Sequence, residues 1–150
     1  MKRDIPDSVV TDLLSIPPLV FRIIRRKLIL TALADIGVDI RYPHFEVMVV
    51  LKEGPLHVAE IGDRLQVAKA QMTHHIDRLV ALNMVDRTVD EADRRTINVS
   101  LTKKGRTFLE KQEKHIINAV RDYISCLEDE ELATVSQSLR TLRDTLSKLQ

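Results

Sequence analysis

Between Val58 and Thr102 the hydrophobic pattern switches from a helical period to a strict alternation. That order constrains the fold more than any other feature of the chain. Val58, Ile61 and Leu65 mark one face of a short helix, and Gln66-Val67 makes a turn. Met72, Ile76, Leu79 and Val80 mark the inner face of a second helix, Lys69–Leu82. Asn83 follows it and tolerates the left-handed backbone of a helix stop. Two strands come next, Val85–Val89 and Thr96–Leu101, joined by the polar turn Asp90–Arg95. In the second strand Ile97, Val99 and Leu101 point one way, and Thr96, Asn98 and Ser100 the other. Two helices therefore have to share a core with a β-hairpin.

The second helix carries Lys69, Gln71, Thr73, His74 and Arg78, side chains that a core rejects. A polar helix followed by a basic hairpin is the layout of a winged helix-turn-helix. Each part has a task on DNA: a helix fills the major groove, where base edges are distinguishable, and hairpin arginines reach the backbone or minor groove. Gln71 suits adenine, and Lys69 suits guanine or phosphate. Thr73 suits a thymine methyl or a phosphate, while His74 donates or accepts. Arg78, a turn later, is expected to grip backbone. In the turn, Arg94 or Arg95 suits the negative potential of a narrow minor groove. Asp93 repels phosphate, so its expected role is to brace a neighbouring arginine by a bidentate pair. The competing reading is a solvated helix face beside a charged turn.

Composition supports a helical chain around this hairpin. Hydrophobic residues make up 44% of the 150 residues, yet aromatics only 3%, with no Trp, so the core must be aliphatic. Four Gly and five Pro are too few for the turns of an all-β fold. Net charge is +1, which argues nothing by itself, but its distribution is uneven. Residues 68–106 hold eight Lys/Arg against five Asp/Glu, net +3, while 107–150 hold six against eight, net −2. A basic middle beside an acidic tail is compatible with one face meeting phosphates. One cysteine, Cys126, excludes an intrachain disulfide and fits a reducing compartment. With no apolar signal core and no run near the ~20 apolar residues of a membrane span, a cytoplasmic protein is expected.

The flanks read as helices. A short helix is expected over Ser8–Leu14, and a new one is expected to start at Pro17-Pro18, because proline suits only a helix's first turn. That helix is expected to reach about Ile36, with Gly37 as its stop and Val20, Ile24 and Leu28 on one face. Pro43 opens the next helix, with Phe45, Met48, Val49 and Leu51 as core contacts, and Gly54-Pro55 closes it. Leu56-His57 is a very short strand. Thr102 caps a long helix from Lys103, whose apolar face runs through Leu109, Ile116, Val120, Tyr123 and Leu127. A last helix begins at Asp129-Glu130-Glu131. Its apolar positions, Leu132, Val135, Leu139, Leu142, Leu146 and Leu149, form a heptad seam.

On these residues the chain resembles the MarR family of winged-helix regulators. Glu60-Ile61 through Val67 and Lys69–Met84 match the two helices of the motif. Asp93-Arg94-Arg95, then Val99-Ser100-Leu101-Thr102-Lys103-Lys104-Gly105, match the wing and the entry to the long helix. The resemblance implies a mainly α fold with a small β-hairpin wing. Residues 1–40 and 103–150 would supply dimerisation helices, and 41–102 the DNA-binding lobe. It implies a homodimer on a palindromic operator, with positions matching Lys69, Gln71, Thr73 and His74 facing bases. A wing arginine, Arg94 or Arg95, would enter the minor groove with Asp93 as its brace. It further implies repression released by a small aromatic or phenolic effector. Three positions depart from the family pattern: Ala68 replaces a usual Ser, His57 a usual Ser/Thr, and Asn83 a usual Gly.

Other chemistry finds little footing in the sequence. The histidines (His44, His57, His74, His75 and His115) lack zinc-ligand spacing, so no metal or cofactor is expected. His44 reads as a surface histidine and Cys126 as a small buried hydrophobe. There is no Gly-rich phosphate loop or nucleophile elbow, so an enzyme is not expected. The runner-up to a DNA-binding regulator is a winged-helix interaction or sensor module that reads a protein partner, supported only by Ala68 and His57.

Overall fold

A computed structural model describes residues 6–29 and 37–149. The chain divides into two compact units, Met1–Ile116 and Ile117–Gln150.

In the first unit, α1 (Asp7–Phe21) runs unbroken through Pro17 and Pro18 and leads into a wider π-helical segment, Arg22–Ile29. The sequence led us to expect a break at the prolines. The helix tolerates them because every residue of α1 is exposed, so carbonyls that lose an N–H partner face solvent. The expected helical stretch over residues 30–36 lies outside the described residues, as does the side chain of Leu28.

Arg41 precedes α2 (Tyr42–Val50), and a single 3-10 turn, Leu51–Glu53, carries the chain to β1 (Leu56–His57). The His44 Nδ1 accepts the Arg41 backbone N–H at 3.0 Å, one of the donors a helix start leaves open. On α2, Val47 is fully buried and Val49 is 39% exposed, so the expected core position at Val49 belongs to Val47. His44 is also buried rather than on the surface. The motif follows as α3 (Val58–Leu65) and α4 (Lys69–Ala81), with Gln66 left-handed between them.

Asn83 takes φ 56°, the left-handed stop its residue type suggested. The sheet has three antiparallel strands in the order β1-β3-β2, with β2 (Val85–Val89) and β3 (Ile97–Leu101) forming the hairpin. Val85 faces Leu101, Arg87 faces Val99 and Val89 faces Ile97, while β1 adds His57 opposite Asn98. Val99 and Leu101 are buried, but Ile97 is exposed because it lies where the hairpin leaves the core.

The strand-to-helix junction explains the Leu101-Thr102-Lys103-Lys104-Gly105 text. The Thr102 hydroxyl accepts the Gly105 N–H at 2.9 Å and lies 2.7 Å from the Asn83 carbonyl oxygen, to which it donates. A Cβ at Gly105 would overlap the Met84 carbonyl, so only glycine allows this approach. From there α5 (Lys103–Ile124) departs. The core joins Phe45, Val47, Met48 and Leu51 of the α2 region to Ile61, Met72, Ile76, Leu79, Met84, Val85, Val99 and Leu109.

The second unit holds the end of α5, a turn and α6 (Asp129–Leu146), extended by the 3-10 turn Ser147–Leu149. The α5 helix stops at Ile124, short of the expected Leu127. There Ser125 turns its hydroxyl onto the Asp122 carbonyl. Glu131 accepts the Glu128 backbone N–H at 2.9 Å, a carboxylate at the positive end of α6. Cys126 is exposed rather than buried. No described helix is long and apolar enough to cross a membrane.

Candidate nucleic-acid interface

Burial of Met72, Ile76 and Leu79 fixes the rotation of α4. The same rotation leaves Lys69, Gln71, Thr73 and His74 exposed. The start of α4 has no side-chain cap, because Ala68 has no hydroxyl to offer. Thr73 donates its hydroxyl to the Lys69 carbonyl at 2.9 Å, which fixes the side chain beside the helix axis.

Lys69 and Thr73 share a cleft of about 350 Å³ with the wing and with the first turn of α3. Its other walls are His57, Val58, Ala59, Arg87, Arg95, Thr96 and Ile97. Lys69, Thr73 and Arg95, expected from the sequence on separate grounds, therefore meet around one concavity. Gln71 is exposed on α4 outside this cleft, and Arg94 is exposed in the wing turn.

Among the cleft residues that were not expected as site residues, Arg87 and His57 are the basic ones. Arg87 pairs with Asp77 of α4 at 2.6 Å, fastening β2 to the helix. On β2 it sits opposite the buried Val99. His57 stood out only as a departure from the family pattern. It reaches the cleft because β1 hydrogen-bonds to β3 at the base of the wing.

Arg78 differs from expectation. Its Nη2 lies 2.9 Å from Asp39 Oδ2, so it turns toward the loop before α2 and its charge is compensated there. Arg78 lines a second cleft with Asp39, Arg41, Pro43, His44, His74 and His75. The His44 and His75 rings meet edge to face, 5.2 Å between centroids. Burial pushes the His44 pKa below the ordinary value, and the neighbouring His75 adds to this. Burial likewise lowers His75, with His74 contributing. In both rings burial disfavours the charged form. Among the described residues, no group of three or more His, Cys, Asp or Glu is placed to hold a metal.

The wing turn is organised by backbone–carboxylate bonds. The expected bidentate pair between Asp93 and an arginine is not the contact Asp93 makes. Its Oδ1 accepts the backbone N–H of Arg95 at 3.0 Å, since a carboxylate in a tight turn is nearer the amide two residues on than a long guanidinium. Asp90 does more. Its Oδ1 accepts the N–H groups of Ala92 at 2.7 Å and Asp93 at 3.1 Å, and its Oδ2 accepts the Asn98 side-chain amide at 3.0 Å. These bonds, the Asp93 amide foremost, hold the Asp90 carboxyl below its usual range.

Comparison with known proteins places this geometry. Residues 38–96 match the family model described as the MarR family. The HTH-type transcriptional repressor MdtR of Bacillus subtilis is 36% identical over 81 residues, covering 54% of this chain and 52% of that protein. The chain thus spans about half the length of this curated relative. The crystal structure of the YusO protein from Bacillus subtilis superposes with a TM-score of 0.71 at 27% identity, over 94% of this chain and 99% of that one. Streptococcus pneumoniae FabT, crystallised in complex with DNA, superposes with a TM-score of 0.68 at 23% identity, over 90% of this chain and 97% of its own.

Proposed function

We propose that the chain is a DNA-binding transcriptional regulator of the MarR family, whose model matches residues 38–96. In this reading it works in the cytoplasm as a homodimer and represses from a palindromic operator. The observation that carries the proposal is the meeting of Lys69, Thr73 and Arg95 around one cleft beside the exposed face of α4. Cations from two elements then converge where a helix in the major groove and a wing beside it would both meet phosphate. FabT, which shares the fold, was crystallised on DNA.

Residues 41–102 act as the DNA-binding lobe, and residues 1–40 and 103–150 supply the dimer body. Support for the second part is exposed apolar surface. On α1, Val9, Leu13, Ile16 and Val20 face solvent, and on α6, Val135, Leu139, Leu142 and Leu146 do so. A second copy covers these stripes. Gln71 and His74 read bases, Lys69 and Thr73 hold phosphate or base edges, and Arg95 or Arg94 enters the minor groove. Release by a small aromatic or phenolic effector is proposed on family membership.

The test is binding to the palindromic segments of the DNA upstream of this gene and its neighbours. Half-sites should lie roughly 34–36 Å apart, one helical turn. Arg95→Ala should weaken binding to all sequences and reduce the salt slope by about one unit. Gln71→Ala should instead change sequence preference, by about 1–3 kcal/mol at one base pair. Absence of protection at low salt, with Arg95→Ala equal to wild type, sinks the reading.

A further inference from the structure

The exposed face of α4 has two edges, and a cleft lies at each. Lys69 and Thr73, one turn apart, line the cleft shared with the wing. His74 and Arg78, also one turn apart, line the second cleft, of about 390 Å³, with Asp39 and Arg41 of the segment before α2. Lys69 to His74, like Thr73 to Arg78, is a step of roughly 140° around a helix of about 3.6 residues per turn. Met72, Ile76 and Leu79 are buried on the remaining side, and Ala70 is exposed between the two pairs. Charge in the second cleft is uneven. Among the described residues that line it, Asp39 is the acid, and it faces two guanidinium groups. Arg78 Nη2 takes the carboxylate at 2.9 Å. Arg41 Nε stays at 3.7 Å, beyond hydrogen-bond range, and the Arg41 side chain is 79% exposed. The cluster is therefore net positive whatever the state of its histidines, and Arg41 holds the charge that is not spent.

A B-DNA major groove is about 12 Å wide, and a helix with its side chains is about 10–12 Å across. A helix seated there fills the groove, so a phosphate backbone runs close to each of its edges. Resting on the DNA-binding reading, we infer that the cleft before α2 is a second phosphate site, in which Arg41 holds the backbone on the side of the groove away from the wing cleft. The backbone contact that the sequence suggested for Arg78 thus falls to Arg41, because Asp39 takes Arg78. Phosphate contacts fix register and orientation on the duplex. With one contact at each edge, α4 is held against rolling in the groove, which contacts on the wing side alone leave free.

The experiment measures Kd for a palindromic upstream duplex between about 50 and 200 mM salt, for wild type, Arg41→Gln, Arg41→Lys, Lys69→Gln and Arg95→Ala. Arg41→Gln should weaken binding to every duplex and lower the salt slope by about one unit, roughly a fourfold change relative to wild type across that range. Arg41→Lys keeps the charge and should keep the slope. A scan with single methylphosphonates, each removing one backbone charge, then locates the contact. Within one half-site, a substitution that weakens wild type should leave Arg41→Gln unaffected, yet still weaken Lys69→Gln and Arg95→Ala. If those two variants are indifferent to the same position, Arg41 shares the wing-side contact and the second site is refuted. A wild-type slope in Arg41→Gln also refutes it, and so does a slope lost equally in Arg41→Lys, which would make the effect one of structure. In each of these cases duplex binding that depends on Arg95 leaves the regulatory reading in place. Wild type that binds no duplex at low salt overturns that reading and the second site with it.

Discussion

The lobe and the terminal helices are apolar to a similar eye, yet they use that surface in opposite ways. Every buried apolar side chain described lies between Ile40 and Leu109. Neither α1 nor α6 has a buried residue, although both carry leucines, isoleucines or valines at helical spacing. The lobe folds onto itself because three layers meet: α2, the α3–α4 pair and the hairpin. A lone helix has only one stripe and nothing within its own element to lay it against. Apolar periodicity therefore says that a stripe will be buried and leaves open which chain buries it.

Substitutions at matched leucines would break or sharpen this contrast. The largest expected effect is in the lobe. Leu79 is fully buried in the core, and Leu79→Ala should cost about 2–5 kcal/mol in chemical denaturation, because it leaves a cavity there. A cost below about 1 kcal/mol would mean that the lobe is less tightly packed than described.

On α6 the matched change should act on association instead. Leu139 is 55% exposed, and Leu139→Glu should shift the protein toward monomer in sedimentation equilibrium while α4 amides keep their exchange protection. Loss of that protection, with no change in mass, would place Leu139 in the folding of its own chain and erase the contrast.

The smallest effect is a pH response confined to the lobe. His44 and His75 have folded pKa values below the ordinary 6.5, so the unfolded chain takes up protons first. Their contribution to stability is complete above pH 6.5 and is lost as pH falls from there toward the folded values. Denaturation midpoints at pH 7.5 and 5.5 should show this fall. His44→Gln should reduce the difference, and an unchanged difference would rule out His44 as its source.

Much of the lobe was legible because its signals are local. The order of elements, the left-handed Asn83 and the strand limits follow from period and residue type between Val58 and Thr102. The candidate interface was legible in part: Lys69, Thr73 and Arg95 stood out as polar or basic where a core needs neither. Arg87 and Asp90 did not, since a strand cation and a turn carboxylate look the same whether they face solvent or each other's neighbours. Arg78 was misplaced because its partner, Asp39, is far along the chain and close only once α2 has packed on α4. His44 looked like a surface residue for the same reason, and Val47 changed places with Val49.

By itself, then, the sequence determined periodicity and turn chemistry, since each depends on a few consecutive residues. Tertiary structure decided which polar side chains were already taken. Arg78 is paired with Asp39, Arg87 with Asp77 and Asp90 with the wing amides, while Lys69, Gln71, Thr73 and His74 are exposed on the helix. Such pairings follow from distances in space, which no spacing along a chain encodes.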